Sequence, residues 1–509
     1  MNCEFRDAEE DESHCASNAE EIVTGHYANY GRLLDRRSNR GSLHACGGLL
    51  TLALMVACGT RGSLVTGTLN NPLSSITTPC SLYASPSGSD QNSGASPASP
   101  KTFFSAAAAT RPGSVVCLLG GTYSLTSAFK PPASGTPSAW IIYRDYGDAP
   151  VKFVWTGAAD ASPMFDMNGG SFPSNPAYLE FRGLNLDGGG KAGDGFFCRG
   201  SHHLRFIGNS ISNTGGSGIG TIKCDYLMAD HNIVGHNGYI PAGAGSNARY
   251  YSWTSGISFN SNQWYDSYAG FHNIISNNIV AGEVDQSSKH SDGNGIILDL
   301  SDRTYNGRSA NTPPALIVNN VVYGNGGRCI EAYLVTNFWI VNNTCYKNNL
   351  DPLIGRAGSI AINNSHEGYV INNIAVPGGT ASRCYDEENI TKDIRYFRNM
   401  CFGGPDETSL SDPAQVTQAD PVFLRPPYFQ PRGKVEYDKA LRPALLGNRL
   451  MLHPSSPALH KGIDPATLPN LSEKVITDLK KYIYTDINGT ARPQGGSPDL
   501  GAYQRSAVR

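Results

Sequence analysis

Charge is scarce in this chain and nearly balanced. Only 16% of the 509 residues are charged, with Lys+Arg 40 against Asp+Glu 43 and a net charge of -3. Such a balance offers no basic face to a phosphate backbone, so nucleic acid is excluded as a partner. Met (7) and Trp (5) are few. No CxxC pair occurs, which removes ribbon-type zinc sites. No nucleotide or organic cofactor is expected. The one marked apolar stretch, Gly47 to Ala57, is too short to span a bilayer comfortably.

What the chain has in quantity is glycine (57 residues) and paired asparagine. Both tolerate the positive φ of tight turns, so the composition suits many short strands and not a helical enzyme. The first 75 residues read as targeting and tether, ahead of a fold that begins near residue 80. Arg36, Arg37 and Arg40 precede the short apolar stretch, as a basic segment precedes the apolar core of a secretory signal. Met55–Cys58 ("MVAC") resembles a bacterial lipobox, although Met stands where Leu is usual. That resemblance implies a lipid anchor at Cys58, with an ordinary signal peptide as the alternative. The 35 polar residues in front of the signal are expected to reflect an over-extended start. The expected location is therefore the bacterial cell envelope or the outside of the cell. Eight cysteines follow Cys58, an even number that suits disulfides in an exported protein. Pairing in sequence order is expected, with Cys384–Cys401 the favoured pair.

An apolar-x-Asn-x-apolar unit recurs at Asn209, Asn232, Asn278, Asn320, Asn343 and Asn373. The separations are 23, 46, 42, 23 and 30, which give a step of about 23 residues with doublings and insertions. A second unit, Gly-containing and followed by an apolar strand start, falls at Ile219, Ile257, Ile296, Ile330 and Ile360. Both Asn209 to Ile219 and Asn320 to Ile330 span ten residues, so the two units keep one phase. Repeats of this length mark a stacked solenoid in which a turn asparagine can bond to its copy one rung away. The expected fold is all-β, a right-handed single-stranded parallel β-helix with a short N-terminal capping helix. A β-propeller, with a longer repeat, is the competing architecture. Alternation places Thr221, Phe259, Leu298, Ala332 and Ile362 inward with the isoleucines. Ser258, Asn260, Asp299, Glu331, Tyr333 and Asn363 then point to solvent, with Ile222 and Ile297 as exceptions. The β-helix is expected over 80–425, with 426–509 packed on it or extending it.

The ends carry a family resemblance. Cys80–Ala109 followed by "RPGSVVCLLGGTY" (Arg111–Tyr123) resembles the opening segment of secreted, pectate-lyase-like right-handed β-helix proteins. "SSPALHKGID" (Ser455–Asp464) and "DINGTARPQGGSPDLGAYQ" (Asp486–Gln504) resemble their closing segment. The resemblance covers roughly residues 80–504 and implies a protein that meets a polysaccharide, expected to be acidic, along an exposed strand face; a monomer is expected, with oligomeric state left open by the sequence. It says more about fold than about chemistry, since one scaffold hosts many reactions.

The charged stretch Lys289–Leu300 and the following Gly326–Tyr333 are the richest place on such a face. Asp299 and Glu331 are expected on adjacent rungs, two residues apart in register and roughly 8 Å from each other. The leading expectation is a polysaccharide lyase acting by β-elimination on an acidic glycan, in which Asp292, Asp299 and Glu331 would hold Ca²⁺, while Arg328, Lys289 or His290 would bind the uronate carboxylate or take its C5 proton. In a glycoside hydrolase, Asp299 and Glu331 would serve as acid and base across a water. In a non-catalytic envelope protein the same polar residues would serve turns or bind glycan. Asn260, Asn294, Tyr333 and Arg356 are expected to line the substrate path. His203 and His272 sit six residues before a ladder asparagine, a phase shared with Tyr226 and Asn337, and His272 joins the substrate-binding set. Tyr250, Tyr251, Trp253, Trp264, Tyr265 and Tyr268 crowd the insertion between Asn232 and Asn278, either to stack on sugars or to pack the insertion down.

Overall fold

A computed structural model describes residues 78–299, 312–354, 357–379, 382–389, 391–404, 414–427 and 449–506. The lipobox-like Met55–Cys58 and Arg356 lie outside the described residues. Among the described residues the first strand is Leu82–Ala84, which pairs in parallel with Val116–Leu118 and is tied to it by the Cys80–Cys117 disulfide. The helix Phe103–Ala108 then plugs the end of the barrel. Thr102 caps it by accepting from the Ser105 N–H, and Phe103, Ala106 and Ala107 face the core.

From Phe165 onward each coil contributes three short strands, and every strand pairs in parallel with its counterpart one coil away. The first sheet runs through Phe165–Asn168, Phe196–Arg199, Ile219–Ile222, Ile257–Asn260, Ile296–Asp299, Ile330–Tyr333, Gly358–Asn363 and Arg383–Glu388. The second includes His202–Ile207, Asp225–Asp230, Asn273–Ser276, Ala315–Val318, Thr336–Val341 and His366–Ile371. The third includes Ser210–Ser212, Ile233–Gly235, Ile279–Ala281, Val321–Tyr323, Thr344–Tyr346 and Ile374–Val376. The fold is a parallel β-helix.

The asparagine ladder explains the recurring Asn-Asn pairs. At the corner between second and third sheets, one residue takes positive φ: His231, Asn277, Asn319, Asn342 and Asn372 in successive coils. Asparagine adopts that conformation at little cost. The next asparagine turns inward. Asn209 Nδ2 donates to Asn232 Oδ1, and the same link joins Asn232 to Asn278, Asn278 to Asn320, Asn320 to Asn343, Asn343 to Asn373 and Asn373 to Asn399. Each asparagine oxygen also accepts the backbone N–H of the asparagine one coil before. A column of otherwise orphaned corner amides is thereby satisfied inside the protein.

The isoleucine register is as the sequence indicates, since Ile219, Ile257, Ile296, Ile330 and Ile360 are direct partners. They are fully buried in the core, with aromatic layers such as Phe165, Phe181, Phe196 and Phe206 below them. The cysteines pair in sequence order: Cys80–Cys117, Cys198–Cys224, Cys329–Cys345 and Cys384–Cys401. Four disulfides suit an oxidising, extracytoplasmic compartment. Among the described residues no helix is long and apolar enough to cross a membrane.

The C-terminal segment lies against two of the three sheets. The helix Glu473–Tyr482, capped by Ser472, sets Leu479 and the following Ile483 on Leu316, Val318, Trp339 and Ile371 of the second sheet. Leu500, Ala502 and Tyr503 cover Val321, Tyr323 and Ile374 of the third. Among the described residues neither apolar cluster includes a residue of the first sheet, whose outer face carries Asp299, Glu331, Asp386 and Glu388.

Candidate functional site

On the outer face of the first sheet, register fixes two columns. Ile297, Glu331, Ala361 and Asp386 align in one, and Asn260, Asp299, Tyr333, Asn363 and Glu388 in the other. Asp299 and Glu331 thus stand on adjacent rungs two residues apart in register, as the sequence implied. Glu331, however, does not point to solvent. It faces away from the core but is buried at 4% exposure, because the loop before the preceding strand, bearing Asn294, and Arg328 from the turn before its own strand close over it. Asn294 Nδ2 donates to Glu331 Oε2 at 2.9 Å, and Arg328 Nη1 lies 3.4 Å from the same oxygen.

Arg328 is the hub of this cluster. Nη1 donates to Ser291 O at 3.2 Å, and Nη2 lies 3.7 Å from Glu388 Oε1. Its Nε is buried without a hydrogen-bond partner. Burial opposes the charge, but Glu331, Glu388, Asp292 and Asp386 outweigh it and hold the guanidinium pKa above its ordinary value. Burial raises the Glu331 carboxyl, against the pull of Arg328. Asp292 is only half-buried, yet burial together with the charges of Glu331, Asp299 and Asp285 pushes its pKa well above the ordinary carboxylate value. Asp299 is half-buried and oriented by Asn260, whose Nδ2 donates to Oδ2 at 2.6 Å.

Other expected residues fall elsewhere. Asn294 is fully buried and clamps Glu331 and the Arg328 N–H, so it positions the cluster and does not face a substrate. His272 is also enclosed. Its Nδ1 lies 2.8 Å from Asp225 Oδ2 and its Nε2 2.8 Å from Tyr268 O, which commits both ring nitrogens internally. It ends a stack in which Tyr178, His203, Tyr226 and His272 follow one another at centroid spacings of 4.5, 4.4 and 4.3 Å. The shared phase with Tyr226 therefore reflects real stacking, of structural kind at His272. His290 is oriented by Asp351 at 2.9 Å, and exposed Lys289 lies 5.5 Å over the Trp253 ring. The aromatic insertion divides: Tyr251 is buried and anchored to Lys191 O, whereas Tyr250 and Trp253 are exposed.

Among the described residues no three His, Cys, Asp or Glu side chains form a group that could hold a metal ion. Of the three carboxylates expected to hold calcium, Glu331 is turned toward Arg328 and Asn294. The sequence reading missed Arg383, Asp386 and Glu388. Arg383 Nη1 pairs with Asp386 Oδ1 at 2.6 Å, and Asn363 Nδ2 donates to Glu388 Oε2 at 3.1 Å. Their strand carries Tyr385 where earlier strands carry isoleucine, and no glycine stands before it. Only the six-residue spacing from Asn399, the next ladder position, could have located the following strand.

No family model matches the chain, and no curated protein matches it. Solved structures with a similar fold include pectate lyase Pel9A, at 16% identity and a TM-score of 0.44, with 83% of this chain and 96% of that one covered. An alginate lyase from Paenibacillus sp. str. FPU-7 aligns at 15% identity and a TM-score of 0.32, covering 62% of this chain and 94% of that one. The A-module of the Azotobacter vinelandii mannuronan C-5 epimerase AlgE4 aligns at 14% identity and a TM-score of 0.32, covering 60% and 91%.

Proposed function

We propose that this chain is an exported, glycan-cleaving β-helix protein whose active groove is the charged outer face of the first sheet, and that it works as a glycoside hydrolase. The observation that carries this reading is Asp292, a half-buried carboxyl beside Glu331 and Asp299 that keeps its proton well above the ordinary carboxylate range. Hydrolysis of a glycosidic bond requires one carboxyl that holds a proton to give and a second group that can take one from water. Asp292 would donate its proton to the leaving oxygen as the C1–O bond breaks. Asp299, set by Asn260, would take a proton from the water that attacks C1. Glu331 would remain paired to Arg328 and keep the field that holds Asp292 protonated.

The charge count also favours a substrate of low charge. With Asp292 protonated, Asp299, Glu331, Asp386 and Glu388 still outnumber Arg328 and Arg383, and a polyanion would meet that surplus unfavourably. A second reading, β-elimination on a uronate polymer, draws on His290, which Asp351 orients as a base at 2.9 Å. No step in either reading is routed through calcium. Export and a lipid anchor at Cys58 belong to the same proposal.

The test is incubation with neutral and uronate polymers, reading reducing ends and absorbance near 235 nm (roughly the wavelength of the double bond made by elimination). New reducing ends without that absorbance, unaffected by chelator and lost in Asp299→Asn, support hydrolysis. Absorbance at that wavelength would transfer the assignment to the lyase reading. Polymer retention without either signal would reduce the groove to a binding face.

A further inference from the structure

A second polar site lies far in sequence from the groove, under the C-terminal segment. A cavity of about 280 Å³ opens where this segment crosses the corner residues Asn342 and Asn372. Arg492 lines it and is only 4% exposed, and none of its three guanidinium nitrogens has a hydrogen-bond partner. A buried guanidinium with five N–H groups and no acceptor is costly and is rarely left so.

Its charge is nonetheless balanced. Burial lowers the Arg492 pKa to about 10, while Asp486 and Asp499 nearby pull it upward. Those carboxylates spend their oxygens elsewhere. Asp486 accepts the N–H groups of Asn488, Thr490 and Gln504, and Asp499 accepts from His460, Gln504 and Arg505. Asp486 and Asp499 therefore give Arg492 negative charge nearby but no hydrogen-bond acceptor. A third carboxylate, Asp464, also lines the cavity, with the Tyr484 hydroxyl donating to its Oδ2 at 2.9 Å. An anionic ligand would add a further negative charge to three. A neutral ligand rich in hydroxyl groups would offer oxygens to Arg492 and hydrogens to Asp464 at once. Pro465, Pro493 and Pro498 supply C–H walls against which the apolar face of a sugar ring can lie.

We propose that this cavity binds one neutral sugar residue, as a site separate from the charged groove. The inference stands independently of the hydrolase reading, because it concerns binding and not turnover. Calorimetry on the full chain with glucose, galactose and mannose in turn, and galacturonate as the charged counterpart, tests it. At least one neutral sugar should saturate with a Kd of about 10 mM or tighter, and galacturonate should bind at least about tenfold more weakly. Arg492→Met should abolish that binding. Ser497→Trp, at an exposed lining position, should block the cavity and do the same if the arginine variant fails to fold. Asp299→Asn should leave it unchanged. Absence of saturable heat with all three neutral sugars, as expected of a cavity that holds only water, would overturn the proposal. So would preference for galacturonate, or binding that survives Ser497→Trp.

Discussion

Arg328 reaches past the neighbouring strand Gly358–Asn363 to bring its Nη2 within 3.7 Å of Glu388 Oε1, on the strand after that. The contact joins side chains from two coils, and it does so under cover, with the guanidinium side chain 11% exposed.

That burial sets the first expectation. Replacing Arg328 by Met leaves Glu331 and Glu388 as uncompensated carboxylates in a partly dry site, and breaking one side of a buried pair costs about 3–5 kcal/mol. Glu388→Gln removes only the outer partner and should cost about 1 kcal/mol or less. Denaturant melts of the two variants should therefore differ by at least about 2 kcal/mol. Equal, small losses would show that Arg328 is solvated and not the hub.

The asparagine ladder gives a second expectation. Asn320 is fully buried; its side chain donates to Ile275 O and Asn343 Oδ1 and accepts the Asn278 N–H. Asn320→Ala leaves several buried groups without partners and should cost on the order of 3 kcal/mol. Asn319→Ala, at the neighbouring positive-φ corner, should cost less than Asn320→Ala. It loses the bonds from Asn319 Nδ2 to Tyr482 O and Thr485 O and pays αL strain of about 1–2 kcal/mol. Chemical denaturation of both variants checks the order, and the reverse order would deny the ladder its weight.

Most of the architecture was legible because it is periodic. The asparagine and isoleucine positions repeat with one phase, so Ile296 and Ile330 could be aligned and Asp299 and Glu331 placed on one face. What stayed hidden depends on turns, which have no period. The loop bearing Ser291 to Asn294 folds back and takes Glu331 out of water. The strand Arg383–Glu388 lacks the Gly-Ile mark, so its carboxylates joined the charged face of the first sheet unannounced. His272 has the right phase but is enclosed by Tyr268 and Asp225, a consequence of the insertion's packing.

Two acids away from the Arg328 cluster, buried Glu283 and half-buried Asp194, give the pH expectation. Burial raises Glu283 from 4.5 to about 8 and Asp194 from 3.8 to about 7. Folded protein thus holds protons that the unfolded chain has released between these values. Their contribution to stability is fullest below about pH 4 and falls as pH rises through the window, by up to about 1.4 kcal/mol per pH unit for each group. Glu283→Gln keeps the bonds to Asn237 and Asn325 and removes one titration, so its stability should fall less steeply between about pH 5 and 8. Parallel curves for the variant and the parent would place the titration elsewhere.

The role given to Asp292 can be separated from mere support of the fold by choice of leaving group. A general acid matters in proportion to how badly the departing oxygen needs a proton. Asp292→Asn should therefore lower kcat by about 10²-fold or more on a natural glycan, where an alkoxide would otherwise leave. On an aryl glycoside with a nitrophenolate leaving group, which departs without protonation, the loss should be about tenfold or less. The fall in rate at high pH, which in the parent marks loss of the Asp292 proton, should vanish in the variant on the activated substrate. Losses of equal size on both substrates, with the high-pH limb intact, would mean that Asp292 shapes the groove and that the proton comes from another group.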